Sequence, residues 1–511
     1  MSDRLRAPAA AVLSGLLFAL AFPPYGWAVL LPIALVPWLI ALLEEPKPGR
    51  AFWSGAVFGL AYWCTSIPWI VYVVTHYGGQ SGVMGVVCLL LLALILAEWP
   101  AFVAWTAASA APAGSPLRLA VFPVLWMASE HARTVAYKGF PWNLTGHALF
   151  RHSVWLQSAS VWGVYGVGGL VVAISCLLAA GGARRRALPL LAAALVVIVA
   201  GAFGTARLAR PAPMAPGVSV ALLQPNLTEE MRQTPEGAAA SYRAVLDQAR
   251  EASDSLPALI VIPESAFPAY WQRSETLRQD LATIAQLGPR LLFNDVEEEA
   301  GGRYFNAARL LGPEGLSGPS YRKVHLVPFG EYVPLPRVFF FVRQISSEIG
   351  AFTPAARPEL LRSGPFVIGT AVCYEAIYPS LAREETARGA NLLATISNDS
   401  WYGRAGAQEQ HFAGAVLRSV ENARWLVRAA ITGISGVVDD RGRIVAETRA
   451  DERTLVRADV RLEGRLTAWT RWGYRLPIGA DAAAAAVLLF ALARRIRGGR
   501  PPVPGSRRAS P

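Results

Sequence analysis

Apolar residues are concentrated at the two ends of this chain. Long runs with few or no internal charges occupy residues 7–23, 26–43, 52–75, 83–109, 119–130, 154–180 and 187–205, and one more lies at 477–493. Most reach the ~20 residues that a helix needs to cross ~30 Å of hydrocarbon. The pattern therefore predicts eight membrane-spanning helices. The run 119–130 is short on this measure unless it extends toward Val135. The run 83–109 is interrupted by Glu98-Trp99-Pro100, which predicts a tilted or kinked helix. Basic residues precede the first run as in a signal peptide, but further apolar runs follow at once, so the pattern predicts an uncleaved anchor.

Between the seventh and eighth runs the texture changes. Short β-rich runs at Val218–Leu223, Leu259–Pro263, Arg290–Asn294, Phe366–Cys373, Leu392–Ser397 and Leu455–Val460 alternate with helical patterns at 228–253, 274–287, 377–388 and 409–425. This is the pattern of one large α/β domain of about 255 residues. No repeat of 20–50 residues is visible. The expected organisation is seven transmembrane helices in 1–205, a catalytic domain in 206–476, an eighth transmembrane helix at 477–493 and a basic cytoplasmic tail at 494–511.

Composition agrees. Only 16% of the 511 residues are charged, against roughly 25% in a soluble protein. The formal net charge is +12. It does not point to nucleic acid, because residues 218–475 hold 29 basic and 30 acidic side chains, which leaves 19 basic and 6 acidic in the rest. With the N-terminus in the cytoplasm, the inside segments hold Arg4, Arg6, Lys47, Arg50, Arg118, Arg184, Arg185, Arg186 and the arginines of the tail, and the short outside loops hold only Arg133, Lys138 and Arg151. By the excess of basic residues on the cytoplasmic side, both ends lie inside and 206–476 lies outside the cytoplasmic membrane.

The same division isolates candidate chemistry. Cys64, Cys88 and Cys176 fall in apolar runs as small fillers, and Cys373 is the only cysteine in the α/β segment. Lys323 is that segment's only lysine. Cys373 ends the strand Phe366–Val372, at the edge where α/β proteins bind ligands. Glu264 closes Leu259-Ile260-Val261-Ile262-Pro263 in the same way, and Lys323 sits in a loop constrained by Pro328, Gly330 and Pro334. Taken singly, these are a core thiol, a strand cap and a surface charge. Together, a base, a cation and a thiol are what thiol acyl transfer needs.

These three segments resemble the Glu–Lys–Cys triad of the nitrilase superfamily. The run Lys323-Val324-His325-Leu326-Val327-Pro328-Phe329-Gly330-Glu331-Tyr332-Val333-Pro334, with eight apparent spans around such a domain, closely resembles the bacterial apolipoprotein N-acyltransferases. The likeness covers nearly the whole chain. It includes Gly139-Phe140-Pro141-Trp142, and Ser397-Asn398-Asp399-Ser400-Trp401-Tyr402-Gly403 followed by Gln410-His411, Arg418, Glu421 and Arg424. The resemblance implies an α-β-β-α sandwich on the periplasmic side of a bacterial cytoplasmic (inner) membrane. It implies Glu264 as general base and acid, Lys323 as oxyanion stabiliser, Cys373 as the nucleophile that carries a thioester, and Glu331 as a supporting carboxylate. The implied partners are a phospholipid acyl donor, a diacylated apolipoprotein acceptor and membrane lipids, with the enzyme a monomer. Tyr374, Glu375, Trp401, Phe339, Phe340 and Phe341 are candidate substrate-binding residues. The chain departs from the family near Gln224-Pro225-Asn226, where an aromatic residue is expected a few positions on and Glu229-Glu230-Met231-Arg232-Gln233 stands instead.

The apolar stretch 339–349, directly after the lysine loop, is read as a mobile arm that dips into the interface. Glu98 and Glu130, in or beside spans, are given no catalytic role. No metal is implied by the spacing of His76, His131, His147, His152, His325 and His411, and no nucleotide cofactor by any glycine-rich loop. A membrane-tethered amidase, in which water resolves the thioester, is the alternative for the same triad. A transporter is disfavoured by the few charges in the spans and the lack of related halves.

Overall fold

The computed structural model of the chain describes residues 3–136, 139–211, 216–334, 352–404 and 406–498. The N-terminal part is helical, and strands begin at Val218. Among the described residues, four helices are long and apolar enough to cross a membrane: Gly82–Ala110, Ala159–Arg184, Ala187–Ala209 and Arg475–Ile496. A fifth is added if Pro48–Ser66 and Trp69–Tyr77, bent by 58° at their junction, form one span.

Eight spans are not shown, and prolines and charges explain the difference. The first run becomes a helix that ends at Leu20, short of Pro23-Pro24. The second is cut into Ala28–Leu30, Leu31–Ala34 and Val36–Glu44, where Pro32 and Pro37 each open a new piece. Proline cannot donate to a helical ladder but fits a first turn. Pro68 marks the bend in the third run in the same way. The run 119–130 belongs to Leu117–Val135, which carries Arg118, Glu130 and Arg133. The run 83–109 lies in one continuous helix that passes through Pro100.

Arg118, read from sequence as an orientation charge, is buried and works as a clamp. Its guanidinium donates to the carbonyls of Ala111 at 3.0 Å, Leu42 at 2.9 Å, Leu43 at 3.4 Å, Glu45 at 2.6 Å and Ala108 at 3.2 Å. These groups close the helices Val36–Glu44 and Gly82–Ala110, whose last carbonyls lack helical partners and attract a cation. The helices Pro48–Ser66 and Gly82–Ala110 cross at Gly55 and Gly59. A Cβ at Gly55 would lie 2.5 Å from the Pro100 carbonyl oxygen, and one at Gly59 would lie 2.6 Å from Ala97 Cα. Gly55→Val is therefore expected to force the pair apart and to cost about 1–3 kcal/mol, read as a lower thermal midpoint in detergent. An unchanged midpoint would show that this crossing carries no packing load.

The strands are β1 (Val218–Gln224), β2 (Leu259–Val261), β3 (Arg290–Glu299), β4 (Arg303–Gly312), β5 (Gly315–Leu316), β6 (Tyr321–Arg322), β7 (Leu361–Ser363), β8 (Phe366–Val372), β9 (Leu392–Ser397), β10 (Leu426–Ala430), β11 (Gly436–Val438), β12 (Ile444–Glu447) and β13 (Thr454–Val460). One sheet runs β13-β1-β2-β3-β4-β5, with β6 also paired to β4; the other runs β12-β11-β10-β9-β8-β7. Their inner faces meet in one apolar core, where Val220, Leu222, Val261 and Leu292 of the first sheet pack against Ile368, Leu392, Ile396 and Val427 of the second. The helices Pro235–Ser253 and Glu275–Ala285 cover the outside of the first sheet. The second sheet is covered by Pro379–Ala387 and Ala407–Asn422. The result is the expected α-β-β-α layering. The helix Ala407–Asn422 is buried nearly all round, because Phe412, Val416 and Val420 also pack against Leu144, Val164 and Tyr165 of the helical part. The two halves thus share a continuous core.

Candidate active site

β2 and β8 run parallel to their neighbours β1, β3 and β9, and they bring two of the expected residues to their carboxyl ends. Glu264 follows β2 and is nearly buried. Its Oε1 accepts from Asn306 Nδ2 at 2.9 Å and its Oε2 from the Asn398 backbone N–H at 2.9 Å. Lys323 follows β6 and is 1% exposed. Its Nζ lies 3.0 Å from Glu331 Oε1 and 3.8 Å from Glu264 Oε1. Glu331 is returned to the lysine by its own loop, since its Oε2 accepts from the Val327 N–H at 2.8 Å. Cys373 follows β8 with φ of +54°, a left-handed elbow that a non-glycine residue adopts at a cost. Its thiol is buried, 3.9 Å from the Asn398 carbonyl oxygen. Asn398 thus touches both groups with its backbone, its N–H on the carboxylate and its carbonyl toward the thiol.

The electrostatics follow from burial and from these contacts. Burial pushes the Glu264 pKa up, and Glu331 adds to this against the pull of Lys323. Burial works against the Lys323 ammonium, but Glu331, Glu264 and Cys373 outweigh it and hold its pKa above the ordinary value. Burial, with the Glu264 charge, also holds the Cys373 thiol up, opposed by Lys323. The resting site is therefore a neutral thiol beside an ammonium shared by two carboxyl groups.

Sequence reasoning missed Asn306, whose side-chain amide donates to Glu264 at 2.9 Å and to Glu331 at 2.7 Å. The available signal was an amide within the apolar stretch Phe305–Ala308 of β4. Asp399, His411 and Arg428 form a second buried group. His411 Nε2 lies 2.9 Å from the Cys373 carbonyl oxygen and Nδ1 lies 3.0 Å from Asp399 Oδ1. Asp399 Oδ2 accepts from Arg428 at 2.6 Å. Burial alone would raise the Asp399 pKa, but Arg428 and His411 outweigh it and hold it well below the carboxylate range. One ligand atom each from Cys373, Asp399 and His411 lie within 4.8 Å of one another, the donor set of a metal site. Those donors are already engaged, because Asp399 is ion-paired to Arg428 and His411 bonds the elbow.

The remaining candidates take varied positions. Glu375 is 1% exposed, and its oxygens accept from the Val324 N–H at 2.7 Å, the His325 N–H at 2.9 Å, the Tyr321 hydroxyl at 2.7 Å and the Val372 N–H at 2.9 Å. It ties the lysine loop to the cysteine elbow, and its bonds are spent within the chain. Burial pushes its pKa up to about 7. Tyr374 is also turned inward, its hydroxyl donating to the Gly139 carbonyl at 3.3 Å. Trp401 is half-buried, with its ring 4.6 Å from Tyr77. Phe339, Phe340 and Phe341, with the arm 339–349, lie outside the described residues.

The helical part supplies an aromatic wall beside the elbow. Trp142 lies 5.7 Å from the His411 ring and 6.4 Å from Tyr374, and Trp69 lies 5.2 Å from Tyr402. Gly139 in that loop has φ of +83°, and a Cβ there would collide with the Thr134 carbonyl oxygen, so the turn requires glycine. Glu130 holds the next stretch of chain, accepting from the Thr145 N–H at 2.6 Å and its hydroxyl at 2.7 Å.

Residues 14–177 match the family model of the apolipoprotein N-acyltransferase N-terminal domain, and residues 219–470 match that of carbon-nitrogen hydrolases. An apolipoprotein N-acyltransferase from Geobacter metallireducens is 36% identical over 95% of this chain and 95% of its own length. One from Methylococcus capsulatus is 32% identical over 92% of this chain and 93% of its own length. Among solved structures, an amidase from Nesterenkonia sp. AN1 is 22% identical, with a TM-score of 0.37, over 47% of this chain and 92% of that chain. A member of branch 10 of the nitrilase superfamily from Saccharomyces cerevisiae is 18% identical, with a TM-score of 0.38, over 52% of this chain and 97% of that chain. With both family models matched in order and such relatives aligned nearly end to end, the chain belongs to the apolipoprotein N-acyltransferase family.

Proposed function

We propose that this chain moves one acyl chain from a phospholipid to the α-amine of the N-terminal S-diacylglyceryl-cysteine of an apolipoprotein, through a thioester on Cys373. The observation that carries this reading is the buried cluster of Glu264, Lys323 and Cys373, with Trp142 of the helical part packed beside the elbow against Tyr374 and His411. An acyl thioester survives there because water is excluded.

In the first half-reaction Glu264 accepts the thiol proton and Sγ attacks the ester carbonyl. Lys323 stabilises the oxyanion, held in place by Glu331 and Asn306. The carbon–oxygen bond to glycerol then breaks, and the departing oxygen takes the proton from Glu264 to leave a lysophospholipid. In the second half-reaction the amine attacks the thioester and loses a proton to Glu264. The carbon–sulfur bond breaks and the proton returns to sulfur. No group outside the chain and its two substrates is needed. The positions of the basic residues support an arrangement with 1–205 and 477–493 in the membrane, 206–476 on the periplasmic side and 494–511 in the cytoplasm.

The test is incubation with phospholipid bearing a labelled acyl chain. The expected result is a hydroxylamine-sensitive adduct mapped to Cys373 and discharged by a diacylated lipopeptide with a free amine. Discharge that proceeds equally fast in water alone would favour the amidase alternative. An adduct on another residue overturns the reading.

The pH dependence follows from Glu264. Its pKa is raised above the ordinary value of about 4.3, and the base works only when ionised. Acylation is therefore expected to fall as pH is lowered, with a midpoint above that value. Glu264→Gln should remove this acid limb and slow acylation about 10²–10⁴-fold, measured as initial rates of thioester formation across pH. A limb that persists in the glutamine variant assigns the base elsewhere.

A further inference from the structure

Two neighbouring side chains on the helix Ala407–Asn422 point into different halves of the molecule. Gln410 is 1% exposed and faces the helical part. Its Oε1 accepts from Trp142 Nε1 at 2.6 Å and from Trp69 Nε1 at 3.2 Å, and its Nε2 donates to the carbonyls of Pro23 and Ser66 at 2.7 Å each. Two acceptor sites and two donors exhaust the amide, and its orientation is set because a flipped amide would aim oxygen at carbonyls and N–H at indole N–H. The four partners come from three separate places: the turn after the first helix, the bend at residues 66–69, and the Gly139–Trp142 loop.

His411, the next residue, faces the nucleophile. The Cys373 carbonyl oxygen can only accept, so His411 Nε2 carries the proton of the 2.9 Å bond. That bond grips the peptide on the far side of the +54° elbow. Nδ1 meets Asp399 at 3.0 Å and Arg428 at 3.2 Å, both fully buried, so the ring is held from behind. Trp142 closes the arrangement, since its indole N–H bonds Gln410 while its ring lies 5.7 Å from His411.

We propose that Gln410 and His411 are a pair of positioning residues that lock the nucleophile to the wall of helices it works against. His411 aims the thiol through the Cys373 carbonyl, and Gln410 sets the tryptophans Trp69 and Trp142 that the donor acyl chain must pass. Neither touches substrate or a reacting atom. The proposal rests on the reading of Cys373 as the acylated nucleophile. Because the two act on different things, they move different kinetic quantities. A wall displaced by loss of Gln410 weakens lipid binding, whereas a misaimed thiol slows the bound-state step.

The test uses the full chain in phospholipid nanodiscs or detergent and follows thioester formation at Cys373 in single turnover against phospholipid concentration. Asparagine places its amide nitrogen where Nδ1 stands and keeps the Asp399 contact, but it is too short for Cys373. Glutamine places its nitrogen where Nε2 stands and keeps the Cys373 contact. His411→Asn should lower the maximal rate about 100-fold with half-saturation little changed, and His411→Gln should recover most of that loss. Gln410→Leu should raise the half-saturating phospholipid concentration about tenfold, with the maximal rate changed far less. Gln410→Met serves where the leucine variant does not fold. Equal rates in His411→Asn and His411→Gln overturn the proposal, as does a Gln410 variant that lowers only the maximal rate; the His411 comparison decides by itself if neither Gln410 variant folds. Absence of any adduct on Cys373 in the unmodified protein refutes the thioester reading instead, so the two failures are distinguishable.

Discussion

Cys373→Ala is expected to abolish thioester formation and to reduce acyl transfer to the lipopeptide by at least about 10⁴-fold. The thiol is the atom on which both half-reactions turn, and the surrounding groups only move its proton and hold its product. The fold should survive, because the side chain removed is small. Its neighbours His411 and Glu375 are tied to the backbone of the elbow, and Asn398 meets the sulfur only through its carbonyl oxygen at 3.9 Å. The destabilisation should be about 1 kcal/mol. Cys373→Ser sharpens the result, because a hydroxyl is far less acidic than a thiol and Glu264 withdraws its proton poorly. Any adduct it forms is an oxygen ester that resists hydroxylamine under conditions that cleave a thioester. Intact mass after exposure to labelled phospholipid reads the adduct in both variants, lipopeptide acylation reads the transfer, and the thermal midpoint reads the stability. Unchanged turnover in Cys373→Ala would falsify the mechanism.

Lys323→Met is expected to damage stability and activity together. The ammonium lies 3.0 Å from Glu331 and 3.8 Å from Glu264, and all three are buried or nearly so. Removing it leaves two carboxyl groups facing each other across Asn306 with no cation between them. Breaking a buried pair by deleting one partner costs about 3–5 kcal/mol. Losing the oxyanion partner should cost a further factor of about 10²–10³ in acylation. The sign of the pH effect follows. Lys323 lowers the Glu264 pKa, so without it the carboxyl holds its proton to higher pH and the acid limb moves upward. A double variant separates the two losses. Adding Glu331→Gln to Lys323→Met removes the like charge, so the thermal midpoint should recover while acylation stays low. If activity returned with stability, the lysine would be a structural counter-ion only.

How much of this was legible beforehand depended on whether a segment obeyed one simple rule. β1, β2, β8 and β9 are covered on both faces, so they are near-continuous apolar runs and were found at close to their observed bounds. β4 and β10 escaped because polar residues interrupt them, and two of those residues serve the site. Asn306 in β4 bridges the two carboxylates, and Arg428 in β10 neutralises Asp399. The apolar pattern failed where side chains were placed for electrostatics. The count of eight spans relied on apolar runs alone, and prolines at 32, 37 and 68 with the charges of Leu117–Val135 left, among the described residues, four or five helices that meet the length and composition of a span.

The sequence alone determined that a membrane-associated helical part accompanies one large α/β domain. It also singled out one cysteine, one lysine and one strand-end glutamate, because composition and strand ends can be read without knowing partners. Tertiary structure alone decided what holds those groups. Glu375 turned out to be bonded to four groups of the chain rather than open to a ligand, Asn306 joined Glu264 to Glu331, and Gln410 reached the Pro23 carbonyl 387 residues away. The physical reason is that a hydrogen bond is directional and short, so its partners are set by where two distant segments come to rest, and local sequence carries no trace of that distance.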